Sequence, residues 1–174
     1  MKSVLSALLI ATASVVFAQG HAVEAPQLKL RALDFLIGNW SGKQNFNTQG
    51  GAAMVGDITL KVHGFANRYL EEDLSTSLPG RKPTETHHMI SFDAKTSLFH
   101  AWWFNDTSSI PTELTGSLNG NQLVLMSHPT NPQAPVQKAT YDKVSDTSMN
   151  YKLEMKAGDA AWQELFHNSY SKGP

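Results

Sequence analysis

From Gly38 to the end of the chain, apolar and polar residues alternate with a period of two, and turn residues interrupt the alternation at short intervals. Asp57–Phe65 shows the pattern clearly, because Ile58, Leu60 and Val62 share one side of the segment and polar residues share the other. Such alternation is typical of β-strands with one buried face. Asn119-Gly120-Asn121, between two such segments, is a strong hairpin signal. The alternation therefore predicts an all-β fold.

The pattern predicts about ten strands with no helices between them. They are Trp40–Phe46, Asp57–Phe65, Arg68–Ser75, Thr86–Phe92, Leu98–Phe104, Glu113–Leu118, Gln122–Met126, Val136–Val144, Ser148–Met155 and Trp162–Tyr170. Strands that follow one another without helical crossovers form antiparallel meanders rather than parallel sheets. Because closure of the sheet would remove the exposed edges of so many strands, we predict an antiparallel up-and-down barrel.

One helical segment precedes the strands. Apolar residues recur at helical spacing from Leu30 to Ile37, after Pro26, and the pattern stops at Gly38. This spacing predicts a short N-terminal helix over Gln27 to Ile37.

The first eighteen residues have the features of a secretory signal peptide. Lys2 supplies a positive charge, an apolar run extends from Val4 to Phe17, and Val16-Phe17-Ala18 places small residues where signal peptidase cleaves. The run is shorter than the roughly 20 residues that a membrane-spanning helix needs. We expect cleavage near Ala18, export to the periplasm or the medium without membrane insertion, a linker over residues 19–26, and a single barrel domain over residues 27–172.

Charge and composition exclude several classes of function. The chain has 14 basic and 15 acidic residues, and loss of Lys2 with the signal peptide leaves 13 against 15, a net charge of −2. This balance, without a cluster of Lys or Arg, argues against a nucleic-acid partner. The absence of cysteine excludes thiol nucleophiles, Cys-ligated zinc and iron–sulfur clusters. The sequence also has no Gly-x-Ser-x-Gly nucleophile elbow.

The segment Leu33–Gly42 carries the pattern Phe-Leu-x-Gly-x-Trp-x-Gly. It resembles the opening of calycin barrels, the superfamily of lipocalins and fatty-acid-binding proteins. Ala66–Glu72, Ser91-Phe92-Asp93 and Ala101-Trp102-Trp103 follow in that order. Together these matches resemble a bacterial family of exported, lipocalin-like domains of unassigned function. The resemblance implies that Trp40 begins the first strand and plugs the closed end of the barrel.

Barrels of this kind enclose small molecules between inward-facing side chains. We therefore predict a binding protein for a hydrophobic or amphipathic ligand, without a cofactor or metal of its own and without a catalytic residue. The candidate lining residues are Tyr69, Glu71, His88, His100, Trp102, Glu113, Tyr141 and Tyr151. A shift of one residue in register would move every side chain of a strand to the other face.

Two alternatives stay open. The Gly-x-Trp-x-Gly motif also resembles the opening of nitrobindin-type haem barrels, in which a histidine near the C-terminal end ligates the iron; His167 is the candidate here, although the residues around it do not match. The second alternative is an enzyme that uses a buried carboxylate and a histidine as acid and base. The adjacent His87 and His88 cannot clasp one metal ion, because neighbours on a strand point to opposite faces.

Overall fold

The computed structural model describes residues 25–47, 53–106 and 108–173. The described part begins with an α-helix, α1 (Ala25–Leu30), which continues into a 3₁₀-helix (Arg31–Leu36). The predicted helix is therefore present, but its second half is wound more tightly. The predicted signal peptide and most of the predicted linker lie outside the described residues.

The rest of the described chain forms ten β-strands. They are β1 (Gly38–Phe46), β2 (Met54–Phe65), β3 (Tyr69–Ser77), β4 (Thr84–Asp93), β5 (Leu98–Asn105), β6 (Thr112–Asn119), β7 (Gln122–Ser127), β8 (Val136–Lys143), β9 (Ser148–Lys156) and β10 (Gln163–Lys172). Each overlaps one of the predicted strands, and the bounds differ by a few residues at most.

Every strand pairs with its neighbours in sequence, and β1 also pairs with β10, so the sheet closes into an antiparallel barrel. The predicted fold class is confirmed. Closure gives each backbone N–H and C=O in the sheet a partner strand on either side, which leaves no open edge. A bulge at Leu165 shifts the register of β10 against β9 between Glu164 and Phe166.

The helical segment closes one end of the barrel, which we call the floor. Leu33 and Leu36 are fully buried there, and the indole Nε1 of Trp40 donates a 2.7 Å hydrogen bond to the backbone carbonyl of Leu36. The predicted position of Trp40 is thus confirmed. The bond satisfies both the buried indole and a carbonyl at the end of the helix.

The glycines on either side of Trp40 are needed for the path of the backbone at the start of β1. Gly38 has a φ of +142°, which favours glycine, at the turn from helix to strand. A Cβ on Gly42 would lie 1.9 Å from the carbonyl oxygen of Ser169 on β10. Because backbone atoms cannot move as easily as a flexible side chain, a larger residue at position 42 would disturb the pairing that closes the barrel.

The two ends of the barrel differ in the length of their connections. At the floor, neighbouring strands are joined by two to four residues, as at 66–68, 94–97, 120–121 and 144–147. At the other end, the connections 47–53, 78–83, 106–111, 128–135 and 157–162 have six to eight residues. We call this second end the open end. In the described part of the chain, no helix has the length and apolar character to cross a membrane.

Candidate functional site

A cavity of about 250 Å³ lies inside the barrel near its open end. Its wall combines apolar or aromatic residues with uncharged polar residues and one histidine. The apolar and aromatic members are Ile58, Leu74, Trp103, Tyr151, Leu153 and Phe166, and the others are Gln44, Thr76, Thr86, His88, Asn105, Thr112 and Gln137. An apolar wall with a few polar groups is typical of sites for small molecules.

Two polar atoms in this wall have no hydrogen-bond partner. They are Oε1 of Gln44 and Nε1 of Trp103, and both side chains are more than nine-tenths buried. An unpaired buried polar atom costs free energy, so such groups are almost always satisfied in folded proteins. The adjoining cavity has room for a water molecule or a ligand that would supply the missing partners.

A carboxylate lies behind the wall, two residues closer to the floor than Leu74. Glu72 is fully buried, and its Oε2 lies 3.0 Å from Nδ1 of His88 and accepts a 2.8 Å hydrogen bond from the Tyr141 hydroxyl. Burial raises the pKa of Tyr141 well above its usual 10.0, and the charge of Glu72 raises it further. The Tyr141 hydroxyl therefore stays protonated and acts as a donor.

The same network orients the ring of His88. For His88 to donate to Glu72, its proton must lie on Nδ1, which leaves Nε2 as a hydrogen-bond acceptor in the neutral ring. Trp103 stacks on this ring with the centroids 4.8 Å apart. His88 and Trp103 are opposite each other on β4 and β5, so the stack holds both side chains against the cavity.

The sequence of the chain matches a known protein family. A family model described as "Protein of unknown function (DUF1579)" matches residues 25–172. The chain belongs to this family. The match spans the closing helix and all ten described strands. The predicted resemblance to a family of barrel domains of unassigned function is confirmed. The family match does not test the predicted export.

Two solved structures show the same fold at low sequence identity. The crystal structure of Rv2717c from M. tuberculosis is 16% identical, with a TM-score of 0.67 over 86% of this chain and 99% of that one. The S-type phycobiliprotein lyase CPES from Guillardia theta is 6% identical, with a TM-score of 0.57 over 83% of this chain and 92% of that one. The comparison with curated proteins found no match. At such identities the structural likeness shows the fold alone.

Three of the eight predicted lining residues face the interior. His88 and Tyr151 line the cavity, and Tyr141 lies behind it, against Glu72. The ring of Tyr151 packs edge-on against Tyr141 at 4.8 Å between centroids. The structure thus brings these three side chains together around one buried carboxylate.

The structure corrects the predicted inward orientation of the other five residues. Tyr69, Glu71, His100, Trp102 and Glu113 lie on the outer face of the sheet, opposite the buried positions. In each case the next residue along the strand faces inward, because side chains alternate. These inward neighbours are Leu70, Glu72, Ala101, Trp103 and Leu114.

The outward residues make surface pairs. Oε2 of Glu71 lies 3.1 Å from Nε2 of His63, and the rings of His100 and Trp102 stack at 6.1 Å. Such exposed pairs contribute little to stability. Nothing in their geometry connects them to the interior cavity.

His167, the residue on which the haem alternative depends, also lies on the outer face. Its Nδ1 lies 2.7 Å from Oε1 of Glu164, and its side chain is exposed. His167 therefore does not fit an iron ligand inside the barrel. In the ranges that the structure describes, His88 is the one histidine facing the interior, and no three His, Asp or Glu side chains are grouped to hold a metal ion.

Two larger depressions lie on the outer surface, with volumes of about 790 and 590 Å³. The first is lined in part by Lys61, Asp73 and His87, and the second by Lys152 and Glu164. These side chains are outward-facing and partly paired, as Asp73 is with His87 at 2.8 Å. The interior cavity is the better candidate site because its wall is made of inward-facing side chains, two of which carry buried polar atoms without partners.

Proposed function

We propose that this protein binds a small amphipathic molecule in the open end of its barrel. The observation that carries the proposal is the 250 Å³ cavity whose wall holds the unpartnered Oε1 of Gln44 and Nε1 of Trp103. A ligand with a polar group would satisfy these atoms, and its apolar part would pack against the aliphatic and aromatic wall.

The apolar part of such a ligand supplies most of the binding free energy. Burial of a methylene group contributes about 0.8 kcal/mol. A chain of about eight carbons would therefore gain roughly 6 kcal/mol, and a satisfied polar group would add about 1 kcal/mol. Losses of motional freedom oppose these gains. We expect dissociation constants in the micromolar range or weaker.

Binding of 1-octanol is expected to change the tryptophan emission of the protein, because Trp103 forms part of the cavity wall. The change should be lost in Trp103→Phe and retained in Trp102→Phe, since Trp102 lies on the outer face. A fluorescence titration of the mature protein and of the two variants measures the emission change, and calorimetry measures the heat of binding. If 1-octanol produces neither an emission change nor heat of binding, the proposed function is wrong.

Export is the second part of the proposal, and it rests on the N-terminal sequence. Protein recovered from the exported fraction should begin at Gln19, because the residues before it have the small side chains that signal peptidase requires. Intact-mass measurement tests this. Ala18→Leu should yield protein that keeps its first residues. Recovery of the natural sequence from that fraction with Met1 attached would contradict the cleavage.

An acid–base enzyme is a second candidate, because His88 lines the cavity while its Nδ1 is held by Glu72. A histidine oriented by a carboxylate is a common general base. Its substrate would occupy the same cavity as the proposed ligand. Turnover that is lost in His88→Gln, with binding of the same compound retained, would favour the enzyme over the binding protein.

A further inference from the structure

We infer that the ligand of this cavity carries an uncharged polar group, such as a hydroxyl, rather than a carboxylate, phosphate or ammonium; the inference rests on the binding function proposed above. The first observation is the composition of the wall. Among the described residues that line the cavity there is no Lys, Arg, Asp or Glu. A buried charge is costly unless an opposite charge or several hydrogen bonds compensate for it.

The histidine of the wall does not supply a free positive charge for an anion. Nδ1 of His88 lies 3.0 Å from the Glu72 carboxylate, which is fully buried. Any positive charge on the His88 ring is therefore already compensated by the carboxylate of Glu72. An anionic ligand would in addition be repelled by Glu72, because the interior screens charges weakly.

A cationic group is also disfavoured, although Glu72 is negative. Glu72 does not line the cavity, and its Oε2 already faces His88 and the Tyr141 hydroxyl. Its Oε1 has no hydrogen-bond partner, but it belongs to a side chain outside the cavity wall. The unpartnered group of Trp103 is an N–H donor. It cannot accept a hydrogen bond from an ammonium group, which has only donors.

The two unpartnered atoms need hydrogen-bond partners of different kinds. Nε1 of Trp103 is only a donor and needs an acceptor, whereas Oε1 of Gln44 is an acceptor and needs a donor. A hydroxyl group offers both. The cavity volume of about 250 Å³ lies below the roughly 300–1,000 Å³ of pockets for drug-sized molecules, so the ligand is small.

Three compounds with one chain and different head groups test the inference: 1-octanol, octanoate and octylammonium. At about pH 7.5 the second carries a negative and the third a positive charge. We expect calorimetry on the mature protein to show that 1-octanol binds at least about tenfold more tightly than either ion. Octanoate or octylammonium binding as tightly as 1-octanol would overturn the inference and leave the binding function intact. If none of the three binds, both fail.

Gln44→Met tests the role assigned to the amide, because methionine has a similar length without the hydrogen-bonding group. We expect 1-octanol to bind about fivefold more weakly to this variant. Lys43→Met, at the exposed neighbouring position on the outer face, is the control and should bind as the natural protein does. Unchanged affinity in Gln44→Met would overturn the placement of the polar group at Gln44.

Discussion

Replacement of Trp40 by alanine is expected to lower the free energy of unfolding by about 3–5 kcal/mol, the range for large aromatic residues in cores. Trp40 is 3% exposed, and its Nε1 donates to the Leu36 carbonyl. Alanine would leave a cavity at the floor and an unpaired carbonyl in a buried position. The ammonium group of Lys172, 5.0 Å from the ring centroid, would also lose its cation–π partner.

Urea denaturation followed by circular dichroism measures the loss, and the slope with denaturant shows whether unfolding stays cooperative. Trp102→Ala is the matched control, because it removes the same side chain from the outer face of the barrel. We expect this control to lose about 1 kcal/mol or less. Equal losses in the two variants would contradict the role of Trp40 as the plug of the closed end.

The strands and their order were predictable because their signals are local. Segments such as Asp57–Phe65 alternate over their whole length, and short turns such as Asn119-Gly120-Asn121 separate them. Closure of the barrel follows from the number of strands and from the cost of open edges. The position of Trp40 followed from a motif whose glycines are needed where β1 approaches β10.

The inward face was harder to predict because the alternation is ambiguous in several strands. In β5, Phe99, Ala101 and Trp103 face inward, but the other face carries three large apolar residues besides His100, which are Leu98, Trp102 and Phe104. Periodicity discriminates poorly between two largely apolar sets. In β6 the signal was available, since Leu114 and Leu118 mark the inner face and therefore place Glu113 outside.

Glu72 and Gln44, two polar residues of the interior, were missed because core positions are expected to hold apolar side chains. Glu72 lies between Leu70 and Leu74 in the alternation of β3, which would have placed it inside. Gln44 likewise lies in step with Trp40 on β1. A charged or amide side chain in phase with buried apolar residues is thus the sequence signal that identifies this site. Of the two partners of Glu72, His88 lies directly opposite it on the neighbouring β4, whereas Tyr141 comes from the distant β8. Only the closed barrel therefore shows the contact with Tyr141.

The protein is expected to lose stability steeply above about pH 10. Three tyrosines are buried in the barrel, and burial raises the pKa of Tyr141, Tyr151 and Tyr170 above the usual 10.0. The negative charge of Glu72 adds to the shift at each of them. The folded protein therefore keeps protons that the unfolded chain releases once the pH passes about 10.

The sign of the effect follows from this difference in bound protons. Where the unfolded chain binds fewer protons than the folded protein, the free energy of unfolding falls as pH rises. Each tyrosine contributes about 1.4 kcal/mol per pH unit between its unfolded and folded pKa values, so three give about 4 kcal/mol per unit. Since single domains are stable by about 5–15 kcal/mol, much of the stability is lost within one to three pH units.

Urea denaturation at several pH values between about 9 and 11 measures this slope, and the near-ultraviolet absorbance of tyrosinate reports ionisation directly. Tyr151→Phe should reduce the slope by about a third, because it removes one of the three groups and leaves the hydrogen bond between Tyr141 and Glu72 in place. Tyr69→Phe, which removes a hydroxyl from the outer face, is the control. Constant stability up to about pH 11, with tyrosinate absorbance appearing in the folded Tyr69→Phe variant, would show that the interior admits ionised tyrosines, and the buried network around Glu72 would then be open to solvent.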